Sequence, residues 1–428
     1  MDIWKEFISP STQDWENKIL KDLKIKSLKE IYWDSSIGEI NPVSNKTKEI
    51  NSTYSSGKIT INSEFNLNNE SVNSKILYAL KCGINSITLK GIPTVNSLNQ
   101  VMHEIIENHI LLSNENMTND YATWSNWLNA LKKEITGTLR YDPIFKLIKE
   151  GKWNQSRKED FKNWGLFYNS NKHNTLKSIY VDGSIYGNAS ANPIQEIAFI
   201  GAHLNEYFEE IKDTSTIHKV IIKISTGTTY FIEIAKLRAL RIIINSIAIH
   251  RNISIDLRIE TVGKSTCISP INKELNLLRA TTFSMSAIIG GADTITISPE
   301  LINENDYKKV FRLFTNIPIV LKEESNVSKV NDPSRGSYAI EDLTSKIKND
   351  SWELFKSIEN SGGWIQFLKT ETAQNECREN ASALINRLVN ENKVIVGFNK
   401  YNLTDTTIKS IKFSESKAFS TLKLDKLL

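Results

Sequence analysis

Between about residues 71 and 400, short runs rich in β-branched residues alternate with helix-like patterns, and this repetition limits the possible fold more than any other feature. In the clearest unit, an apolar helical face at 275–289 ends at Gly290-Gly291, and residues 293–298 then alternate with period two. Repeated βα units of this kind predict a parallel sheet. The strand-like runs that we identify are 84–89, 135–139, 178–181, 220–224, 253–259 and 294–297.

The number and length of these units favour a closed barrel. Six or more βα units over roughly 300 residues are typical of a (β/α)8 TIM-type barrel rather than an open doubly wound sheet. We therefore predict an α/β protein with its barrel at 71–400 and a short C-terminal tail at 401–428. Before the barrel we expect an N-terminal arm at 1–45 and a loop-rich connector at 46–70, where Asn, Ser and Thr are abundant.

The N-terminal arm contains one short helix by its sequence pattern. Ser11 followed by Asp14 resembles a capping box, which marks a helix start. Trp15, Ile19 and Leu23 then recur at four-residue spacing and define one apolar stripe.

Composition excludes several classes of protein. Lys and Arg total 53 against 49 Asp and Glu, a net charge of +4, which is too even for a nucleic-acid-binding chain. The three cysteines are too far apart in sequence for a disulfide framework or a zinc cage. No apolar run approaches the ~20 residues that span a bilayer, and the first ten residues have no signal-peptide core. These features predict a cytoplasmic protein without a nucleic-acid or membrane partner.

Two patterns each allow two interpretations. Ser or Thr occurs at alternate positions of several strands, and such residues either line a narrow polar channel inside the barrel or face outward as good strand formers. The helix at 231–245 is apolar beyond a single stripe, so either another part of this chain or a partner subunit covers it. The hydroxyl pairs are Ser86 with Thr88, Thr136 with Thr138, and Thr294 with Thr296.

A search for reactive residues returns no catalytic constellation. The chain lacks a Gly-rich nucleotide loop and a His-Glu-x-x-His motif, and no histidine lies at metal-ligand spacing with another ligand. Arg238 and Arg241 could grip an acidic ligand, but an ion pair is the simpler interpretation. Trp364, after two glycines, is more typical of a packing aromatic than of a stacking platform.

Several blocks of the chain resemble the adenosylcobalamin-dependent methylmalonyl-CoA mutases, and they occur in the family's order. The segment 233–241, Glu-Ile-Ala-Lys-Leu-Arg-Ala-Leu-Arg, is similar to the family helix E-I-A-K-F-R-A-A-R. Residues 278–293, 323–338, 355–363 and 394–399 resemble four further family blocks. The residues that match the motifs, and that we expect to be structural, are Glu233, Lys236, Arg238, Arg241, Gly290, Gly291, Asp332, Pro333, Gly336, Ser337 and Tyr338.

The resemblance implies a site that this chain does not keep. Family barrels are threaded by the coenzyme A arm, carry a Tyr-His pair and a glutamine around the substrate, and bind cobalamin on a separate domain through D-x-H-x-x-G. Here Ser184 and Ile185 occupy the Tyr-His positions, Arg140 occupies the glutamine position, and D-x-H-x-x-G does not occur. Isoleucine can neither hydrogen-bond a thioester carbonyl nor transfer a proton. We therefore expect no catalytic, cofactor-binding or metal-binding residue in this chain.

This combination resembles the small subunit of heterodimeric mutases. The resemblance implies a non-catalytic chain that pairs with a large catalytic subunit, which holds adenosylcobalamin and interconverts methylmalonyl-CoA and succinyl-CoA. One alternative is the barrel of a split acyl-CoA mutase that receives cobalamin on a separate chain. A second alternative is a barrel that binds a coenzyme A thioester without turnover.

Overall fold

The structure is a computed structural model, and it describes most of the chain. The described residues are 10–43, 59–67, 71–91, 94–105, 111–116, 122, 125–126, 137–169, 177–297, 307–401, 408 and 417–428.

The predicted capping box begins the first helix, α1 (Thr12–Leu23). The Ser11 hydroxyl accepts the Asp14 N–H at 3.1 Å, and the Asp14 carboxylate accepts the Ser11 N–H at 3.0 Å. Of the predicted apolar stripe only Ile19 is buried, because the arm covers little of the core and leaves Trp15 and Leu23 exposed. A 3-10 turn and an antiparallel hairpin, β1 (Trp33–Ser35) with β2 (Gly38–Ile40), complete the arm.

The remaining strands alternate with helices as the sequence predicts. The strands are β3 (Thr60–Asn66), β4 (Ser86–Lys90), β5 (Leu111–Asn116), β6 (Gly137–Tyr141), β7 (Ile179–Asp182), β8 (Ile217–Thr226), β9 (Ser254–Gly263) and β10 (Thr294–Ile297). The helices are α2 (Val72–Lys81), α3 (Val95–Val101), α4 (Pro143–Glu150), α5 (Arg157–Tyr168), α6 (Ser184–Asn188), α7 (Pro193–Glu209), α8 (Tyr230–His250), α9 (Leu275–Ile289), α10 (Tyr307–Glu323), α11 (Tyr338–Asn360), α12 (Trp364–Lys369) and α13 (Thr372–Val389).

These eight strands form one parallel sheet in the order β6-β5-β4-β3-β10-β9-β8-β7. Apart from β6 and β7, strands of this sheet that follow each other in sequence are neighbours, and the first of the eight, β3, pairs with the last, β10. This cyclic order is that of a (β/α)8 fold, so the sheet is curled and the prediction of a TIM-like α/β class is confirmed at that level. Among the described residues no ladder joins β6 to β7, and we call this junction the seam.

The predicted loop-rich connector at 46–70 is wrong where it includes residues 60–66, which form the central strand β3. Its Asn and Ser residues misled the prediction because β3 is buried on both faces. Ile61 and Phe65 lie in the apolar core, whereas Asn62 faces a polar interior. Strand β5 was not among the predicted runs either.

Two predicted helical faces have different outcomes. Helix α8, which contains residues 231–245, packs against α7, α9 and α11, so another part of this chain covers it and a partner is not needed. Helix α9 buries Ala280, Phe283 and Ala287, while Leu278 of the predicted apolar face is 66% exposed. The apolar face at 275–289 is thus partly exposed, and the residues that α9 buries most deeply lie beside it.

The carboxylate of Asp142 bridges the seam. Asp142 follows β6, and its Oδ2 accepts the N–H of Asp182 at the end of β7, at 3.0 Å. Its Oδ1 accepts the hydroxyl of Tyr207 at 2.6 Å and lies 3.0 Å from Nε2 of His203. The same oxygen also accepts the N–H of Phe145 and thereby caps α4. One buried carboxylate thus joins both edge strands of the sheet to α4 and α7.

Replacing Asp142 by Asn should destabilise the protein. Asn supplies an N–H where the seam supplies donors, so we expect a loss of at least about 2 kcal/mol in the free energy of unfolding. The measurement is urea unfolding followed by circular dichroism. Asp22→Asn is the matched control, because Asp22 forms only a surface pair with Lys18. Equal midpoints for the two variants would contradict the role of Asp142.

Candidate functional site

The interior of the curled sheet is crossed by an ion pair. Arg140 on β6 lies 2.8 Å from Glu260 on β9, and both side chains are almost fully buried. Strands β6 and β9 are not neighbours in the sheet, so the pair spans its concave face. Arg140 also stacks over the ring of Tyr180, 4.9 Å from the ring centroid. Arg140 is therefore part of the packed interior.

A second group of charges crosses the interior nearer the carboxyl ends of the strands. Glu64 on β3 lies 2.6 Å from Lys223 on β8 and 2.8 Å from Lys90 on β4. Lys223 also lies 3.6 Å from Asp182. Burial alone would raise the pKa of Glu64, but the ammonium groups of Lys223 and Lys90 hold it well below its usual value. The two carboxylates and two ammonium groups neutralise one another.

The strand hydroxyl groups face this interior rather than the outside. Ser86 and Thr88 both donate to Asn62 Oδ1, at 3.0 and 3.1 Å. Asn62 donates to Thr296, which in turn donates to Glu260 at 2.7 Å. The described hydroxyls are thus bonded to side chains that fill the interior, and they do not line a narrow channel. Thr136 lies outside the described residues.

Ser184 and Ile185 follow β7 at the carboxyl end of the sheet. The Ser184 hydroxyl donates to Asp182 Oδ1 at 2.5 Å, a local contact two residues back in the chain. Ile185 is 4% exposed and packs in the main apolar core. Neither side chain presents a group that could polarise a carbonyl or exchange a proton with a ligand.

Among the described residues, the histidine closest in sequence to these positions has both ring nitrogens bonded to other groups. His203 on α7 is fully buried; its Nδ1 lies 3.0 Å from the hydroxyl of Tyr186, and its Nε2 lies 3.0 Å from Asp142. Burial and the nearby carboxylate of Asp142 raise the pKa of Tyr186 well above its usual value, so its hydroxyl stays protonated. We did not predict this Tyr-His-Asp chain, because its members lie on three elements and no sequence spacing links them.

Lys236 on α8 lies at the centre of a buried cluster. Its ammonium group is 2.9 Å from Glu196 and 2.7 Å from Glu233, and it donates to the carbonyl of Ser225 at 2.6 Å. Burial would lower the pKa of Lys236, but the two carboxylates hold it above its usual value. The ammonium group is fully occupied by internal partners.

Arg238 and Arg241 also form internal ion pairs rather than a ligand clamp. Arg238, which has no exposed surface, lies 3.0 Å from Asp332 and 2.8 Å from Glu341. Arg241 lies 2.8 Å from Asp293 and donates to the carbonyl of Gly291 at 2.7 Å. Both guanidinium groups therefore fasten α8 to neighbouring elements.

The other motif residues shape the backbone around these pairs. Gly291 ends α9 with φ of +89°, whereas the neighbouring Gly290 lies against Leu237, which comes within 3.1 Å of where a Cβ would sit. Gly336, with φ of +84°, donates its N–H to Glu341 at 3.1 Å. The remaining motif residues precede or begin α11: Asp332, Pro333, Ser337 at the N-cap, and the half-exposed Tyr338.

Trp364 is a packing aromatic, as predicted. It begins α12, is fully buried, and its ring centroid lies 5.0 Å from that of Phe199 and 5.5 Å from that of Tyr186.

The described histidines fall into two groups, buried and exposed. His218, like His203, is buried with both ring nitrogens engaged, by Tyr168 and by the carbonyl of Asp213. His103 and His250 are on the surface of the described region, and no group of three metal-ligating side chains occurs there. His109 and His173 lie outside the described residues.

No helix in the described part of the chain is long and apolar enough to cross a bilayer.

These features define a (β/α)8-type protein whose interior, in its described part, is filled by its own ion pairs. The family model of methylmalonyl-CoA mutase matches residues 95–427, so the chain belongs to the methylmalonyl-CoA mutase family. Its relatives make it a member of the small-subunit type.

Three relatives illustrate the similarity. The methylmalonyl-CoA mutase small subunit of Porphyromonas gingivalis is 26% identical over 82% of this chain and 58% of its own length. That of Propionibacterium freudenreichii is 30% identical over 46% of this chain and 32% of its own length. The 2-hydroxyisobutanoyl-CoA mutase large subunit of Aquincola tertiaricarbonis is 24% identical over 57% of this chain and 45% of its own. The chain thus spans roughly a third to three-fifths of these relatives.

Replacing Arg238 by Lys should destabilise the fold. Lysine cannot bind two carboxylates and Thr344 in the same planar arrangement, so we expect a loss of about 2 to 3 kcal/mol in the free energy of unfolding. Arg258→Lys is the matched control, because Arg258 is 42% exposed. Denaturant unfolding of both variants decides the point, and an Arg238→Lys variant as stable as the control would show that the buried pairs contribute little.

Proposed function

We propose that this chain is the non-catalytic small subunit of a methylmalonyl-CoA mutase. In this proposal it pairs with a large catalytic chain in the cytoplasm and stabilises it, and the large chain binds adenosylcobalamin and interconverts methylmalonyl-CoA and succinyl-CoA. The observation that supports the proposal is Ile185, a hydrocarbon packed into the core, which the sequence resemblance matches to the family's histidine. The same proposal includes a complete (β/α)8 barrel closed at the seam.

The interior gives the second reason. A coenzyme A arm threaded along the barrel axis would have to displace the Arg140–Glu260 pair and the Glu64–Lys223 pair. Separating buried pairs without replacing their partners costs about 3 to 5 kcal/mol for each pair. An arm that offers amides and phosphates in their place does not compensate both carboxylates. This argues against the alternative of an acyl-CoA-binding barrel.

The enzymatic alternative is the barrel of a split acyl-CoA mutase, and the large subunit from Aquincola tertiaricarbonis keeps it under consideration. Such a barrel needs a group that can hydrogen-bond the thioester. Ser184 donates to Asp182, and Ile185 has no polar atom, so the two positions in question do not supply one. We therefore favour the subunit role.

The N-terminal arm of the chain provides a candidate surface for the partner subunit. Trp33 on β1 is 40% exposed, and its ring packs edge-on against that of Phe231, with ring centroids 6.3 Å apart. Phe231 is 50% exposed and Trp15 is 44% exposed. Tryptophan is among the residue types that most often dominate the binding energy of protein interfaces.

Coexpression tests the pairing. We expect this chain to copurify at a 1:1 ratio with a longer mutase chain that carries the Tyr-His and D-x-H-x-x-G motifs, and to show no mutase activity alone. Trp33→Ala should weaken the complex at least tenfold, because it truncates an interface aromatic. Leu166→Ala is the control, since Leu166 is 45% exposed on α5 outside the arm. Turnover of methylmalonyl-CoA by this chain without the large chain, with or without an added cobalamin-binding chain, would show that the proposal is wrong.

Calorimetry with coenzyme A tests the filled interior. We expect no binding heat at millimolar coenzyme A, because the buried ion pairs occupy the interior through which the coenzyme A arm would have to pass. Saturable binding heat that disappears when the chain is first saturated with an acyl-CoA would instead favour an acyl-CoA-binding barrel.

A further inference from the structure

We propose that the turn between α11 and α12 is a proton-controlled joint, in which ionisation of Glu359 loosens the attachment of α12. We call residues 361–370 the joint segment. This inference does not depend on the mutase assignment, because it concerns a cluster of acidic groups remote from Ser184 and Ile185 in the sequence and borne by other elements.

The joint has room to move. A cavity of about 390 Å³ lies beside it and is lined by three carboxylates, two cations and the two glycines of the turn. Gly362 and Gly363 both have positive φ, +104° and +83°, so the turn has a conformation that only glycine adopts readily. The charged lining residues are Arg157, Glu206, Glu209, Glu359 and Lys369.

Glu206 on α7 is the anchor of α12. Its carboxylate accepts the N–H of Ile365 at 3.0 Å and so caps a helix whose own N-cap, Gly363, has no side chain. The same carboxylate lies 3.4 Å from Arg157. Because Glu206 is almost fully buried, any further negative charge nearby acts on it at low dielectric.

Glu359 supplies that charge. It is the penultimate residue of α11, where the helix dipole disfavours a carboxylate. One of its oxygens accepts from Asn205 at 2.6 Å, and the other is buried without a hydrogen-bond donor. Burial, with Glu206 and Glu209 nearby, raises the pKa of Glu359 to about 6 despite the opposing hydrogen bond from Asn205.

The groups that face Glu359 do not cancel its charge. On α7, Asn205 hydrogen-bonds Glu359, and the carboxylates of Glu206 and Glu209 repel it. Arg251, at the end of α8, attracts it, but Arg251 also donates to Asn205 and pairs with Glu209. Arg157 of α5 pairs with Glu206, so its charge is already shared. Lys369 of α12 bonds Gln366. Ionised Glu359 therefore adds a repulsive charge beside the anchor.

The sign of the pH effect follows from this arrangement. The closed joint binds the Glu359 proton more tightly than an open joint with an ordinary carboxyl pKa near 4.5, so closure is favoured at acidic pH. Stability of the joint is lost as pH rises through about 6. A fully expressed shift would increase opening about eightfold between pH 5 and 7.5, and solvent screening of the half-buried group reduces this to roughly three- to eightfold.

Opening of the joint would weaken a series of contacts that leads from α12 to the seam. Trp364, the first residue of α12, packs against Tyr186, and Tyr186 contacts His203, which contacts Asp142. Deprotonation of Glu359 thus loosens a helix that supports the contacts joining β6 to β7.

Hydrogen exchange tests the joint. Exchange of peptides that cover 361–370 is measured on the full chain at pH 5 and 7.5 and corrected for the intrinsic rate. We expect a three- to eightfold loss of protection at pH 7.5 in the wild type and less than twofold in Glu359→Gln. Glu353→Gln is the matched control on the same helix, because Glu353 is 71% exposed and pairs with Lys356, and it should behave as the wild type.

Two results would overturn the proposal: equal corrected protection of the wild-type segment at both pH values, or an undiminished pH effect in Glu359→Gln. If Glu359→Gln does not fold, the wild type decides alone. A pH effect confined to the joint segment and its contacts then supports the joint, whereas a uniform or absent effect contradicts it.

Discussion

The ion pair between Arg140 and Glu260 constrains the rest of the molecule. Charges inside a curled sheet must be neutralised there, because leaving one unpaired costs several kcal/mol. Arg140 takes its partner from β9 across the concave face, and the polar chain through Asn62 and Thr296 is built around that same glutamate. In a sheet that pairs its interior charges in this way, most of the polar groups that could receive a ligand are bonded to one another. Ser184 donates to Asp182 and Ile185 has no polar atom, so these positions agree with an interior whose polar groups bond mainly to one another.

Helix α8 plays the corresponding role outside the sheet. Lys236, Arg238 and Arg241 occupy successive faces of the helix, and each is paired to a different element. These pairs leave the apolar positions free to pack against α7, α9 and α11. The charged residues of the helix motif that resembles the family thus form buried ion pairs that attach α8 to neighbouring elements. This explains how a chain can retain the motif when the positions for chemistry have changed.

Much of the fold could be predicted from the sequence, and the errors have physical causes. The capping box at Ser11 and the period-two run at 294–297 depend on local chemistry, and both were predicted. Strand β3 was missed because Asn62, Ser63 and Glu64 interrupt its middle, so the run was assigned to the Asn- and Ser-rich connector although Ile61 and Phe65 lie on its apolar face. The pattern of α9 did not show which side of the helix is buried, because Leu278 fits a helical stripe equally well in a core or on a surface. The Tyr186–His203–Asp142 chain and the Glu359 cluster depend on tertiary contacts that no sequence spacing encodes.

The seam links the sheet to the outer helices. The contacts that join β6 to β7 come from Asp142, and this carboxylate takes its donors from α7 as well as from β7. Helix α7 also carries Glu206, which caps α12, and Asn205, which holds Glu359. Selection for a stable outer surface would therefore preserve α7, and through it the seam, even where the positions that contact substrate in relatives are free to change. Under the proposed subunit role, a chain that supports another chain needs its outer helices more than its interior, and the contacts of α7 are those that such a role would preserve.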